Sequence, residues 1–207
     1  MLEVCSIAND CKVWNTHQRI RREIALAHVE QLSSLTPPIT IASSYITKTE
    51  TSIAPSGALD DLDTPDELAV RSLILGIMHR TLGDFEASRK FLQDAHKRHA
   101  DAETKWIGGV ALFELAVLDL KETEATDRGW VSSESIDGVL DGGLEKTVNN
   151  KVSGKQWMEV LKGASEKLDK AMAISGNSVD LSSRLDTRVS MLRDEIVIKK
   201  ESLGLAH

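Results

Sequence analysis

Apolar residues recur at intervals of three and four along most of the chain, and the clearest case lies on either side of Gly83. Before the glycine the recurring positions are Leu68, Leu75, Met78 and Leu82, and after it they are Phe85, Leu92 and Ala95. This spacing is that of one face of an α-helix. Because glycine readily adopts the left-handed conformation that ends helices, we predict two helices joined by a tight turn.

Sequence signals mark the start of the first of these helices. Thr64 is a suitable N-cap, Pro65 suits the first helical position, and Glu67 has the spacing of a capping box. We therefore predict one helix from Thr64 to about residue 82. The second is predicted from Asp84 to about residue 99.

The same periodicity predicts helices on both sides of this pair. Residues 1–35 are predicted to be an N-terminal helical segment with Ile20, Ile24 and Ala27 on one face. Pro37 and the proline after it end that segment, because proline removes a backbone donor and restricts the residue before it. The remaining helices are predicted over residues 102–121, 156–174 and 179–203.

Two stretches interrupt the helical pattern. Residues 36–63 are rich in Ser, Thr and Pro and are predicted to be a flexible insertion, because such a stretch buries too little apolar surface to offset its ordering entropy. Residues 126–155 contain five glycines and are predicted to be a second loop insertion. The chain is thus predicted to have a helical domain over residues 64–207 that carries this second loop.

Composition agrees with an all-α fold and narrows the function. Only 4% of the 207 residues are aromatic, and helix-forming residues are abundant. The net charge of −7 opposes nucleic-acid binding as a main activity, because phosphates are neutralised by cationic surfaces. Only Cys5 and Cys11 are present, which favours a reducing compartment, and no apolar run approaches the roughly 18 residues of a membrane span. We therefore expect a protein that neither spans a membrane nor is exported.

The residues around the predicted turn have the spacing of a tetratricopeptide repeat, a helix-turn-helix unit of about 34 residues. These repeat positions are Leu75, Gly76, Gly83, Asp84, Phe85, Leu92 and Ala95, and Trp106 lies one period after Ser72. In such a unit Gly76 allows close helix approach, Phe85 packs between the helices and Ala95 admits the next helix. The chain departs from the pattern at Ser88, where alanine is usual, and at His79, where tyrosine is usual.

The order of four sequence blocks carries a family resemblance. The blocks are DELAVRSLILGIMHRTLGDFEASRKFL, WIGGVALFELAVLDL, WMEVLKGASEKLDKA and DLSSRLDTRVSMLRDEI. Together they resemble the C-terminal part of the fungal inclusion body clearance proteins, relatives of the animal tetratricopeptide repeat protein thirty-nine family. The resemblance covers most of residues 64–203 and extends through NDCKVWNTHQRIRREI. Because members of that family are much longer, this chain resembles their C-terminal third.

The resemblance implies an α-solenoid fragment of about six helices that acts as a non-catalytic scaffold for protein-protein interaction. It further implies a role in clearing misfolded protein from the cytoplasm and nucleus, with peripheral association to lipid droplets or the mitochondrial outer membrane. The alternative is a helical module that handles a lipid or sterol at such a surface. An enzyme of unrecognised type is the third possibility.

Repeat geometry also suggests which residues would contact a partner. The groove-facing positions of the first repeat helix correspond to Val70, Leu73, Ile77, Arg80 and Thr81. Arg80 is the position that could select an acidic partner or a carboxylate. The alternative is that all five belong to the core of the protein, because an apolar groove is usually filled.

No pattern in the sequence favours catalysis, a cofactor or a metal. The chain has no G-x-S-x-G element, and its Gly-Lys pair at 154–155 lacks the first glycine and the hydroxyl residue of a phosphate-binding loop. His96 and His99 could hold a metal with Glu103, but cations in the last turn of a helix also complement its dipole. The acids at 60, 61 and 63 suit a solvated helix start. Trp106 and Trp157 could stack on a ligand, but aromatic residues at helical spacing beside Phe113 or Leu161 are usually part of the core, and we assign both to the core.

Overall fold

The computed structural model describes residues 20–46, 62, 64–129, 152–175 and 182–205, and these residues form helices and no strand. The predicted all-α class is therefore confirmed. Predictions that fall on 1–19, 47–61, 63, 130–151, 176–181 and 206–207 lie outside the described residues. They include those for both cysteines, for the acids before Thr64 and for the start of the helix predicted over 179–203. The described ranges contain six helices: α1 (Arg22–Ser34), α2 (Pro65–Leu82), α3 (Phe85–Arg98), α4 (Trp106–Asp127), α5 (Gly154–Ser175) and α6 (Ser182–Ser202).

The local signals around α2 produce the structure that the sequence predicts. The Thr64 side chain accepts a hydrogen bond from the Glu67 backbone, and the Glu67 carboxylate accepts one from the Thr64 backbone, so the capping box is complete. Gly83 ends α2 with a φ of 86°, which lies in the left-handed region that favours glycine. Asp84 then caps α3 by accepting a hydrogen bond from the backbone N–H of Ala87.

The helices α2 and α3 pack closely at Gly76. A methyl group at this position would lie 2.6 Å from Cγ of Leu92 and 3.2 Å from its backbone nitrogen. The same proximity allows the Ser88 hydroxyl to donate a 2.7 Å hydrogen bond to the Gly76 carbonyl. The serine that replaces the usual alanine therefore adds a polar contact between the two helices.

The helices α2 and α4 lie at the centre of the fold. Each is in contact with the other, and α3 packs against both of them, while α1 covers α2 and α5 lies against α4 and α6. All residues from Ile107 to Leu118 are buried, around the whole circumference of α4. The sequence pattern predicts one apolar face for this helix, with residues at intervals of three and four. The buried surface of the helix is wider than that predicted face.

Several predicted boundaries and faces need correction. The helix α4 continues to Asp127 because no glycine or proline lies between Gly109 and Gly129, and α5 begins at Gly154. The loop predicted over 126–155 is therefore too long by two residues at each end. In α1 the buried residues are Ala25, Val29 and Leu32, whereas Ile24 is 42% exposed. The helix α2 packs against the face of α1 that contains Ala25, and not against the predicted face that contains Ile24.

Residues 36–46 pack against α2 despite their polar composition. Nη1 of Arg71 donates 2.9 Å hydrogen bonds to the carbonyls of Leu35 and Pro37, and the Tyr45 hydroxyl donates to the carbonyl of Leu82. Ile39 and Ile41 are partly buried against the core. The expectation that this part of the 36–63 insertion buries little apolar surface is thus wrong for 36–46.

His79 joins this segment to the interior of the fold. Its ring is fully buried beside Phe91, with 4.9 Å between the ring centroids. Nδ1 lies 2.7 Å from the Leu75 carbonyl, which can only accept, so Nδ1 carries the proton. In the neutral ring Nε2 then accepts from the Ser43 hydroxyl at 2.7 Å. Burial lowers the pKa of His79, and the hydrogen bond to Leu75 and the charge of Asp84 oppose that effect only in part.

We expect the protein to lose stability as the pH falls below about 6.5, the pKa of an unperturbed histidine. The unfolded chain binds a proton on His79 more readily than the folded chain does, so stability is fully present above that pKa and declines below it. Urea unfolding at pH 7.5 and pH 5 measures the loss, and His79→Gln should show a smaller one. An equal loss in the wild type and in His79→Gln would show that His79 does not cause the pH dependence of stability.

Candidate functional site

A groove follows one face of α4, between α2 and α6. It consists of two adjoining cavities of about 430 and 390 Å³, which we call the α2 end and the α6 end of the α4 groove. Val117, Lys121 and Glu124 line both ends. These residues are spaced by four and three positions, so they lie on the same face of the helix and make the groove continuous.

The α6 end has an apolar floor and partly apolar walls. Trp157 of α5, only 1% exposed, lies beside Leu161 at the bottom, and Phe113 contributes from α4. On the α6 side, Met191 and Ile198 line the cavity and yet remain 58% and 64% exposed. Large apolar side chains are thus presented to solvent at the edge of a concave surface.

The lining of the α4 groove is predominantly basic, although the chain as a whole has a net charge of −7. Glu124 and Glu195 are the acidic residues among those that line the two cavities. Six basic residues line them: Arg22, Arg80, Lys121, Arg128, Arg188 and Lys199. The groove therefore has the opposite charge balance to the chain as a whole.

A buried ion cluster joins the three helices that frame the groove. Glu114 of α4 is fully buried and lies 2.7 Å from Nη1 of Arg80 in α2 and 2.8 Å from Nη2 of Arg188 in α6. Nη1 of Arg80 also donates a 3.2 Å hydrogen bond to the Glu114 carbonyl. Buried carboxylates are rare unless paired, and this one fixes α2 and α6 on either side of α4.

Two of the groove cations lie over aromatic rings. The guanidinium carbon of Arg188 is 4.3 Å from the centre of the Phe113 ring, and Nζ of Lys199 is 4.2 Å from the Trp157 ring. Such contacts hold a cation in place without neutralising it. Within the part of the chain that the structure describes, no carboxylate pairs with Lys199.

The five residues predicted to contact a partner occupy different environments. Arg80 and Thr81 line the α2 end of the groove. Leu73 and Ile77 are buried in the core, and Val70 is half-buried against it. The structure therefore brings two of the five predicted residues to the groove.

The repeat positions lie at the close contacts of α2, α3 and α4. Gly76, Gly83 and Asp84 act as described above. Leu75, Leu92 and Ala95 are fully buried, while Phe85 and Trp106 are half-buried against the core, with Phe85 also lining the α2 end of the groove.

Sequence reasoning did not select most of the residues that form the groove. The sequence patterns do not point to the α6 residues, which are Arg188, Met191, Ile198 and Lys199. They assign Trp157 to the core, in agreement with its burial. One signal was present in the sequence. The buried stripe of α6 is complete with Leu185, Val189, Leu192 and Ile196, so Met191 and Ile198 are apolar residues beyond those that the core requires.

The ionisable groups with clearly shifted pKa values do not line the α4 groove, although a catalytic site there would need such groups. Burial lowers the pKa of His79 and of His96, and His96 stacks on His99 with 4.8 Å between ring centroids. Neither His79 nor His96 lines the α4 groove. Among the described residues, no three His, Cys, Asp or Glu side chains form a group that could hold a metal ion.

None of the helices in the described ranges combines the length and the apolar character needed to cross a bilayer.

The chain was compared with protein-family models, curated proteins and solved structures. None of the three comparisons found a match. The case for a function therefore rests on the geometry of the α4 groove.

Proposed function

We propose that the protein is a non-catalytic helical-repeat scaffold that binds a segment of another protein in the α4 groove. Alternate helices, α2, α4 and α6, frame the groove, as the first helices of stacked hairpins do in repeat proteins. Arg80 and Glu114 support this relation, because they are 34 residues apart, one repeat length, and pair across adjacent hairpins.

The exposed apolar residues at the α6 end are the observation that carries the proposal. Met191 and Ile198 lie seven positions apart on α6, so both face the same side, and both border a cavity with an apolar floor. Apolar side chains that are left in solvent beside a concave surface are typical of a protein interface. His79 and His96, whose pKa values are lowered, lie outside the groove, and their position supports binding rather than catalysis as the function of the groove.

The wider role is a proposal that rests on the four sequence blocks alone. By that resemblance the partners are client proteins in inclusion body clearance or proteins of the lipid droplet surface. The setting is the cytoplasm or nucleus, with peripheral contact to lipid droplets or the mitochondrial outer membrane.

A peptide-display selection tests binding in the groove without assuming a partner. The full chain is used to select peptides from a random library, and affinities of the selected peptides are measured by fluorescence anisotropy. Met191→Ser should weaken the selected peptides about tenfold, which corresponds to about 1.4 kcal/mol. Val197→Ser is the matched control, because Val197 is also exposed, at 51%, on the same helix but does not line the groove.

Two results would overturn the proposal. One is a selection that yields no binders, or binders that both variants affect equally. The other is stoichiometric lipid in protein purified without detergent, detected by extraction and mass spectrometry, because that result favours a lipid-handling module.

A further inference from the structure

The α6 end of the α4 groove combines apolar contact and positive charge in a fixed order. Arg188 and Lys199 lie eleven residues apart on α6, about 16 Å along the helix axis at about 1.5 Å per residue. Between them the groove is lined by Leu192 and Ile196, opposite Phe113 and the floor residue Trp157. A ligand therefore meets a cation, an apolar section and a second cation in that order.

Among the residues that the structure describes, neither cation has a carboxylate partner of its own. Nη2 of Arg188 pairs with Glu114, but this carboxylate also faces Arg80, so one buried negative charge is shared between two arginines. Lys199 contacts the Trp157 ring and pairs with no carboxylate in the described ranges. Both side chains therefore retain N–H donors and positive charge for a ligand.

The position of Glu195 restricts where a ligand can carry negative charge. Glu195 lines the same cavity and lies between the two cations in the sequence of α6, seven residues after Arg188 and four before Lys199. A carboxylate placed at the middle of this cavity would be repelled by Glu195 and would face the apolar floor. The favourable arrangement places carboxylates at the two ends and an apolar side chain between them.

We infer that the occupant of the α6 end is a segment of a partner protein in which a bulky apolar side chain is flanked on both sides by carboxylates. This inference rests on the function proposed above and specifies the chemistry of the partner. An extended segment covers the distance between Arg188 and Lys199 with about five residues, at about 3.3 Å per residue. The exposed Met191 and Ile198 then contact the apolar part of the segment at the edge of the groove.

A panel of synthetic peptides of about nine residues tests this order directly. The first peptide has aspartates on both sides of a central leucine-phenylalanine pair. The second has the same composition with the aspartates at the centre and the apolar residues at the ends. The third and fourth replace every aspartate by asparagine or by lysine. Each is labelled with fluorescein and titrated with the full chain in about 0.15 M salt, where the Debye length is about 8 Å.

The first peptide should bind at least tenfold more tightly than each of the others. Lys199→Glu should reduce its affinity about tenfold, whereas Lys200→Glu should change it less than threefold. Lys200 makes a matched control, because it is the next residue of α6 and does not line either cavity. Circular dichroism of both variants confirms that the helices are retained.

The outcomes separate this inference from the proposed function. Equal binding of the first and second peptides, preference for the asparagine or lysine peptide, or equal effects of the two lysine variants would overturn the inference. If display selection still yields peptides that Met191→Ser weakens, the proposed function stands while the inference fails. If neither the panel nor the selection yields binding, both fail.

Discussion

Replacing Glu114 by glutamine should lower the free energy of unfolding by about 3–5 kcal/mol, the range measured when one partner of a buried ion pair is removed. Glutamine keeps the size of the side chain but removes its charge. Arg80, at 7% exposed, would then remain buried without a counter-charge, and the half-buried Arg188, with a side chain 17% exposed, would lose its partner. The loss should be large because the same carboxylate serves both arginines.

Glu122→Gln provides the control for this substitution. Glu122 lies on the same helix and pairs with Arg89, but its side chain is 43% exposed. Solvent weakens such pairs, so this variant should lose no more than about 1 kcal/mol. Urea unfolding of the wild type and both variants at neutral pH gives the comparison. Similar losses for the two glutamine variants would show that the Glu114 cluster does not hold the helices together.

The cluster also explains why the groove has a defined width. Arg80 of α2 and Arg188 of α6 contact different oxygens of the Glu114 carboxylate, so α2 and α6 are each tied to the middle of α4. Direct contact between α4 and α6 is otherwise limited, and α6 packs mainly on α5. Loss of the Glu114 charge should therefore release α6 as well as reduce the stability of the fold.

Local features of the chain could be predicted from sequence because their causes are local. The capping box at Thr64 and the turn at Gly83 each depend on residues within one helical turn. The close approach at Gly76 was also predictable, since it follows from the spacing of small residues in a helical hairpin. These features define the pair of α2 and α3, which needs no information from distant parts of the chain.

Features that depend on distant residues could not be predicted in the same way. Glu114 stands alone in an apolar stretch, which signals a buried partner, but its partner Arg188 is 74 residues further along the chain. The buried face of α1 likewise depends on how α2 meets it, and periodicity alone favoured Ile24 over Ala25. Neither feature follows from the sequence pattern, because amphipathic spacing does not say which neighbour a helix face will meet.

The candidate site was harder to predict than the fold for a related reason. The repeat pattern predicts a partner-binding face on α2, where Leu73 and Ile77 are buried in the core of the same chain. The open surface lies further along, where α6 leaves Met191 and Ile198 uncovered. A count of apolar residues on α6 beyond its buried stripe would have indicated that surface.

Replacing Gly76 by alanine should lower the free energy of unfolding by about 1–3 kcal/mol, the usual cost of an added methyl group in a closely packed core. The new methyl would lie 2.6 Å from Cγ of Leu92, the branch point of that side chain, and 3.2 Å from a backbone nitrogen. The backbone nitrogen cannot move without shifting α3, and the Leu92 side chain is fully buried, so it has little room to rotate away. The Ser88 hydrogen bond to the Gly76 carbonyl would lengthen as the helices separate.

Gly163→Ala makes the same chemical change in α5 and should have the opposite effect on the free energy of unfolding. A methyl group at Gly163 would meet only the Nζ atom of Lys167, at 3.8 Å, so the helix preference of alanine over glycine should raise stability by up to about 1 kcal/mol. Thermal unfolding of both variants therefore distinguishes packing from helix propensity. If Gly76→Ala stabilised the protein, as is expected for Gly163→Ala, the tight α2–α3 contact would not exist in solution. The closely packed α2–α3 hairpin, against which α4 packs, would then have to be rejected.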